Sequence, residues 1–452
     1  METVKRLIGW FRRWEYAGLC LLVLIILVLH FSIIMQPNEP LFDEKHYVPD
    51  ARLIIDGEGT ERLEHPPLSK LFIVAGIQLF GDNPWGWRFF PIIFSVAGIV
   101  FFYLICRRLN LSKRVSFLAT FLLALENLSF VQGSIAMLDV FSLTFTLAAF
   151  WLYLKGRYVM SGVAVGLSVL AKLSGALAIL VIGLHWLLTR WQRPRRFLLS
   201  MLAAPISFVA LMPLFDFAIW HKWLNPFARI KEMVDLTGSI TFSGVDPGTG
   251  ARPWEWIFTY PNVMEVMPYW WTPRYLGMIS PTLWVFIIPI VIFITYKALK
   301  GNTPVLFPFA WFVGAYLVLI PAVLITDRVT YIFYIYPAIG AISIGLGIAL
   351  FRLLDVAEAR QKGKLRRFIV VVVPLYLLLH MYAFIIIAPL SIGQTTHPYI
   401  GLSFTSESIW WSIPLCLLLY IFTLRFTGIV KWPRFGDNIV LPENQVDKPP
   451  EQ

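Results

Sequence analysis

Apolar runs of roughly twenty residues recur along this chain. They include Glu15 to Met35, Gly86 to Cys106, Phe197 to Trp220, Pro304 to Ile325, Tyr331 to Leu350 and Phe368 to Leu390. Backbone in hydrocarbon must satisfy its own N–H and C=O groups, so runs of this length are helices, and a chain that repeats them is an all-α polytopic membrane protein. Of the 452 residues, 58% are hydrophobic and only 14% charged, which excludes an ordinary soluble domain. A net charge of +11 would suit nucleic acid if it formed one basic patch, but the cations are distributed among the breaks between runs, and no nucleic-acid partner is expected. Cys20, Cys106 and Cys416 fall in or at the ends of apolar runs, so neither a disulfide framework nor a metal cluster is indicated. The first run is too long for a signal-peptide core and has no small-x-small site after it, so it reads as a retained helix.

Charge orients the runs. Lys5, Arg6, Arg12 and Arg13 precede the first, and such a cluster stays cytoplasmic, which puts the next loop outside. Alternation then gives runs ending inside at Arg107/Arg108, Lys155/Arg157, Arg190 to Arg196, Lys297/Lys300 and the Arg352 to Arg367 linker, which holds six Lys or Arg. Shorter spans are Val115 to Leu125, emerging near Glu126 and Asp139, Val140 to Leu154, Val159 to Leu170, Ser174 to Leu188, Pro281 to Tyr296 and Ile409 to Phe422. The expectation is about 11–13 transmembrane helices with both termini cytoplasmic. Roughly two thirds of the 38 Lys and Arg fall inside this scheme and roughly two thirds of the 27 Asp and Glu outside, so the outer face is rich in carboxylates that can act as bases. No internal repeat is visible, which weighs against a transporter built from two related halves.

Two outer segments read as helices lying in the interface. From Glu44 to Gly57, Tyr47, Val48, Ala51, Ile54 and Ile55 follow helical spacing, with Asp43 placed to cap the start. Pro67 to Phe80 has Pro-Pro at its entry and Gly81-Asp82-Asn83-Pro84 as its stop, and is short for a span. The longest polar interval, Trp220 to Arg274, is also outside, and Trp220, Trp223, Trp254, Trp256, Trp270 and Trp271 fall in or beside it with Lys222, Arg229, Lys231, Arg252 and Arg274. A headgroup-level aromatic belt accounts for much of this; a groove for an amphiphile with an anionic head is the alternative.

No phosphate-cradling glycine loop, His-Glu-x-x-His helix or Gly-x-Ser-x-Gly elbow is present. Gly162-x-x-x-Gly166 reads as a helix-packing pattern, and Asn110-Leu-Ser112 and Asn127-Leu-Ser129 are poorly placed glycosylation sequons. What remains is a set of ionisable groups on the outer face: Asp43, Glu44, His65, Lys70, Arg88, Glu126, Asp139, Lys172 and Arg274. A charge at membrane depth costs roughly 2.5–3.5 kcal/mol, so such groups pair or act. A carboxylate at the bilayer surface beside cations suits attack by a hydroxyl on a sugar whose leaving group is a lipid-linked phosphate, one option among several at this point.

The motifs narrow the options. Phe42-Asp43-Glu44-Lys45-His46-Tyr47, His65-Pro66-Pro67-Leu68-Ser69-Lys70, Gly81 to Arg88 and Ile135-Ala136-Met137-Leu138-Asp139 resemble, in this order, the protein O-mannosyltransferase family of multi-span GT-C glycosyltransferases. Arg252-Pro253-Trp254 is similar to its Arg-Pro-Trp element in the large outer loop. The resemblance implies GT-C architecture and inverting transfer of mannose from a polyprenyl (dolichyl) phosphate carrier to Ser or Thr hydroxyls of translocating proteins, with no cofactor or metal required. It implies Asp43 as base, Glu44 as its acidic neighbour and Arg88 as a donor-phosphate contact. His65, Lys70, Asp139, Lys172, Arg252 and Trp254 complete the expected substrate-binding set.

The eukaryotic members carry a luminal MIR domain, for which the 221–274 interval has no room, so the chain resembles a compact prokaryotic member. The expected layout is a catalytic module over 1–220 with its outer loop at 36–85, a large extracytoplasmic loop over 221–274, a second transmembrane module over 275–425 and a cytoplasmic tail over 426–452. The expected setting is the cell (plasma) membrane, with the site extracytoplasmic. The expected partners are the lipid-linked donor, an acceptor protein and membrane lipids, with a homodimer left open. A GT-C enzyme acting on a lipid or cell-surface glycan is the nearest alternative, and a transporter of lipid-linked sugar the more distant one.

Overall fold

The computed structural model describes residues 16–189, 193–245, 250–258, 270–272, 275–360, 363–390, 393–395, 402–404 and 410–430. The expected basic N-terminal cluster, Arg190, Arg274 and most of the cytoplasmic tail lie outside them. Helices occupy the apolar runs. Among the described residues, five are long and apolar enough to cross a membrane: Pro84–Arg108, Pro194–Trp220, Thr303–Thr326, Ile332–Ala359 and Lys364–Ile387. A sixth follows if Lys113–Ala124 and Asn127–Ser134, bent by 63°, count as one. Seven further apolar helices have 10–17 residues, among them Ala17–Ile33, Leu138–Leu154, Tyr158–Ala171 and Ser412–Thr427. The all-α polytopic expectation holds, interrupted among the described residues by two three-residue hairpins, Trp270–Thr272 with Tyr275–Gly277 and Gly393–Thr395 with Leu402–Phe404.

The bend after Ala124 corrects one expectation. Glu126 does not emerge at a surface; it is fully buried. Its carboxylate accepts Leu128 N at 3.1 Å and Ser129 N at 2.6 Å, capping a new helix, and Ser280 N at 2.9 Å from the C-terminal half. A buried cap of this kind ends one helix axis and starts another, because it satisfies the N–H groups that a continuous helix would bond internally. Asn127 is equally committed, donating to Leu276 O and Met278 O at 2.7 and 3.0 Å, which removes its sequon from reach.

Close helix approaches are set by glycine. A Cβ on Gly162 would lie 2.4 Å from Ser200 O, and one on Gly166 2.1 Å from Ser207 Oγ, so the Gly-x-x-x-Gly pattern seats Tyr158–Ala171 directly on Pro194–Trp220. Gly76 meets Gly86 in the same way, its Cβ position 2.1 Å from Gly86 O. That contact locks Leu68–Phe80 against Pro84–Arg108. One core runs from Leu19 to Ile429, joining the expected N- and C-terminal modules. Cys20, Cys106 and Cys416 are free thiols.

Candidate active site

The Glu44–Ile55 helix begins just after Phe42, whose φ of 50° turns the chain sharply. Asp43 was expected to cap it. Its own φ and ψ of −70° and −13° are already helical, whereas a capping aspartate needs extended backbone to reach back, and it makes no capping hydrogen bond. The carboxylate is left without a hydrogen-bonding partner among the described residues. Burial raises its pKa to about 6, with Lys172 pulling it down, Asp139 pushing it up and Arg62 pulling it down.

Every other acid in this cluster is committed. Glu44, fully buried, accepts Arg88 Nε at 2.9 Å, Arg88 Nη2 at 2.7 Å, Ala136 N at 2.8 Å and Leu41 N at 3.1 Å. Arg88 spends its remaining donors on Ile34 O, Pro37 O and Glu39 O at 3.0, 2.9 and 3.1 Å. All five of its N–H groups are thus used and its side chain has no exposure, so Arg88 offers no free donor to a phosphate. The Glu44–Arg88 pair ties the Asp43 loop, the chain leaving Ala17–Ile33 and the Ala136 turn into one unit.

Lys70 is likewise buried and bonded to Thr60 Oγ1 at 2.5 Å, Arg62 O at 2.5 Å and the Asp50 carboxylate at 3.2 Å. Asp50 also accepts Thr60 Oγ1 and Glu61 N, each at 2.8 Å, so Asp50 and Lys70 shape the 60–62 turn that leads to His65. Asp139, in the first turn of Leu138–Leu154, takes both oxygens to Lys172 Nζ at 2.8 Å. Lys172 also lies over the rings of Phe333 and Tyr334, at 5.3 and 5.2 Å.

His65 Nε2 is 3.3 Å from the Tyr47 hydroxyl. Burial, then the cations Lys172, Lys70, Arg62 and Arg328, hold His65 well below the usual imidazole range, so it is neutral at pH 7. Arg229 anchors this turn from the Pro226–Gly238 helix, donating to Leu63 O at 2.8 Å and His65 O at 3.5 Å. Arg252 and Trp254 do not join the cluster by any direct bond. The Arg252 guanidinium lies over the rings of Phe242 at 5.2 Å and Trp254 at 5.5 Å.

The structure therefore brings Asp43, His65, Asp139 and Lys172 to one place, puts Glu44, Arg88 and Lys70 beneath it as supports, and leaves Arg252 and Trp254 in the adjoining loop. The segment that reaches the Asp43 turn from the C-terminal half carries no motif in the sequence. Phe333 meets Phe42 edge-on at 5.7 Å, and Tyr331 stacks on Phe333 at 5.5 Å. Tyr331 feels the Asp43 and Arg328 charges together, burial being the largest influence raising its pKa. The one signal in the sequence was the charged break Asp327-Arg328 between two apolar runs. Chemically, the cluster offers one unpartnered carboxylate with a pKa near neutrality, a neutral imidazole, and a ring of cations already balanced by acids.

Residues 20–225 match the family described as Dolichyl-phosphate-mannose-protein mannosyltransferase. A Polyprenol-phosphate-mannose--protein mannosyltransferase of Mycobacterium tuberculosis is 35% identical over 146 residues, covering 31% of this chain and 28% of that one. The aligned region thus spans less than a third of this curated relative. Among solved structures, the S. cerevisiae protein O-mannosyltransferase Pmt1-Pmt2 complex bound to the sugar donor matches with a TM-score of 0.62 at 12% identity, over 82% of this chain and 89% of that one. ArnT from Cupriavidus metallidurans in the apo state matches with a TM-score of 0.56 at 18% identity, over 94% and 77%. At these identities the two structures establish the fold, a GT-C membrane architecture, and nothing finer.

Proposed function

We propose, from the match of residues 20–225 to the dolichyl-phosphate-mannose-protein mannosyltransferase family, that the chain transfers mannose from a polyprenyl phosphate to Ser or Thr hydroxyls of a protein substrate. The observation that carries the chemistry is Asp43: among the acids of the cluster it is the one without a bonded partner, and burial gives it a pKa of about 6. A base is most effective when its pKa lies near the working pH, because it is then both deprotonated and able to take a proton. Asp43 removes the acceptor hydroxyl proton as that oxygen attacks the anomeric carbon. The bond from that carbon to the phosphate oxygen breaks on the opposite face, the configuration inverts, and the polyprenyl phosphate leaves with the electron pair.

Glu44 and Arg88 act in this scheme as positioning residues. They hold the Asp43 turn against Ala136, through the bonds given above, without touching substrate. His65 and Tyr47 form a neutral donor-acceptor pair suited to sugar hydroxyls. Lys172, held by Asp139, keeps the pKa of Asp43 from rising further. No metal step is included, since cationic side chains suffice for a lipid monophosphate. The reaction is assigned to the extracytoplasmic face of the cell membrane, with the termini on the other side, on the charge pattern of the sequence, which puts the basic loops opposite the Asp43 loop. The test is incubation of purified protein with radiolabelled polyprenyl-phosphate mannose and a Ser/Thr-rich peptide. Labelled peptide supports the proposal; label that moves only between leaflets identifies a transporter, and label that enters only lipid or glycan identifies the nearest enzymatic alternative.

A further inference from the structure

The cations around Asp43 raise a question of arithmetic, because Arg88, Lys70 and Lys172 are saturated by Glu44, Asp50 and Asp139. Arg62 is bonded to His46 Nδ1 at 2.7 Å, and Arg252 lies over two rings. Arg229 also has a buried nitrogen, Nε, without a hydrogen-bond partner, but Glu232 at 2.8 Å balances its charge; among the described residues Arg328 differs in that its buried Nη1 has no hydrogen-bond partner and no acid forms an ion pair with it. A buried guanidinium nitrogen without an acceptor is costly, and a native structure keeps one where a ligand will supply the acceptor.

The backbone holds Arg328 firmly for such a role. Thr241 and Arg328 form an isolated antiparallel bridge. Around it Phe242 N donates to Asp327 O at 2.7 Å, Val329 N to Ile240 O at 3.2 Å and Ala251 N to Thr330 O at 2.8 Å. Asp327 takes a φ of 51° and its carboxylate accepts Ser243 N at 2.8 Å. The close seat of Gly250 on Thr330 O, where a Cβ would stand 2.5 Å away, seals the ribbon. Three residues further on, Tyr331 and Phe333 stack, and Phe333 touches Phe42, next to Asp43. Arg328 is thus fixed in the C-terminal segment whose Phe333 reaches the Phe42 turn, and its charge acts on His65 and Tyr331.

We propose that Arg328 holds the phosphate of the lipid-linked sugar opposite Asp43, so that the base comes from the first outer loop and the anion-binding group from the segment between the Thr303–Thr326 and Ile332–Ala359 helices. This rests on the donor reading given above and goes beyond it in naming the residue and the segment. The charges of Arg328 and Asp43 both bear on Tyr331, and Arg328 also acts on His65, which agrees with a position across the cluster. A planar guanidinium with a free edge offers phosphate two parallel hydrogen bonds, where a saturated arginine offers none. The ribbon with residues 240–243 and 250–251 explains how the large outer loop bears on the donor: their contacts with Asp327 to Thr330 set the angle of Arg328.

The test is equilibrium binding of polyprenyl phosphate and of neutral polyprenol of the same length to full-length protein in detergent. Wild type should prefer the phosphate by at least about tenfold. Arg328→Ala and Arg328→Gln should lose about tenfold for the phosphate while keeping polyprenol within about twofold, and Arg328→Lys should fall between. The ribbon bonds to Arg328 are backbone bonds, so the thermal midpoint should not move. A retained phosphate preference in Arg328→Ala or Arg328→Gln overturns the assignment, and so does an equal loss for both lipids, which marks a structural role. Competition by phosphatidylglycerol at matched concentration, abolished in Arg328→Ala, would reassign the guanidinium to membrane headgroups. If wild type itself shows no preference for the phosphate, the donor reading fails before Arg328 is in question.

Discussion

Replacing Glu44 with glutamine separates support from chemistry. The Glu44 carboxylate, fully buried, accepts four hydrogen bonds, from Arg88 Nε and Nη2 and from Leu41 N and Ala136 N, at 2.7 to 3.1 Å. Glutamine keeps the shape but loses the charge, and its NH2 turns two donors toward a site built entirely of donors. The Arg88 guanidinium is then buried without a counter-charge. Removing one partner of a buried pair costs about 3–5 kcal/mol, a large share of the roughly 5–15 kcal/mol that holds a domain folded. Glu44→Gln should therefore lower the thermal midpoint of the detergent-solubilised protein substantially, and Arg88→Lys, which supplies three donors in place of five, should do so as well. Joint replacement, Glu44→Leu with Arg88→Met, should recover part of the loss, since a well-packed apolar pair removes both desolvation costs. A wild-type midpoint for Glu44→Gln combined with abolished donor binding would refute the supporting role and return Arg88 to the phosphate.

Three further outcomes follow from the same geometry. Because Asp43 must be ionised to accept a proton and burial raises its pKa to about 6, the rate at saturating donor should rise with pH through about 6 and then level; Lys172→Met removes the charge that pulls Asp43 down, so the rising limb should move to higher pH, and an unmoved limb would detach it from Asp43. A single cysteine replacing the exposed Lys231 should react with a membrane-impermeant thiol reagent added from outside and one replacing Lys364 should not, whereas the reverse pattern would place the Asp43 loop on the cytoplasmic face. Gly166→Val forces atoms into a gap where even a Cβ lies 2.1 Å from Ser207 Oγ, and should cost about 1–3 kcal/mol or more, read as a lowered thermal midpoint; an unchanged midpoint would mean that Tyr158–Ala171 and Pro194–Trp220 are not packed as described.

The parts of this protein legible in its sequence are those governed by short-range rules. Apolar run length marks the helices, Asn83-Pro84 marks the start of Pro84–Arg108 and its side chain caps it as expected from residue type. The Gly162 and Gly166 spacing announces a close helix contact. The bend at Glu126 was hidden because glutamate is not a usual capping residue, and the Ser280 N that completes its buried site is 154 residues away. The motif residues Asp43, His65, Asp139 and Lys172 converge, but sequence does not distinguish a charge that is free from one that is spent. Glu44 and Arg88 carry strong motif signals because they build the site's floor, and only their bonding pattern shows it. Arg328 carried no motif, since its value comes from a missing partner and from a ribbon made with the distant residues 240–243 and 250–251.

The measurement that bears most directly on the central claim is the transfer of radiolabelled mannose from polyprenyl phosphate to a Ser/Thr-rich peptide by wild type and by Asp43→Asn, with donor binding measured on the same preparations. Asparagine keeps the size of the side chain and cannot take the proton, and Asp43 bonds to none of the supporting groups. Labelled peptide from wild type, a fall of at least about 100-fold in Asp43→Asn and unchanged donor affinity are the predicted result. Transfer by Asp43→Asn within about threefold of wild type would contradict the assignment of the base, and no labelled peptide from wild type would contradict the assigned reaction.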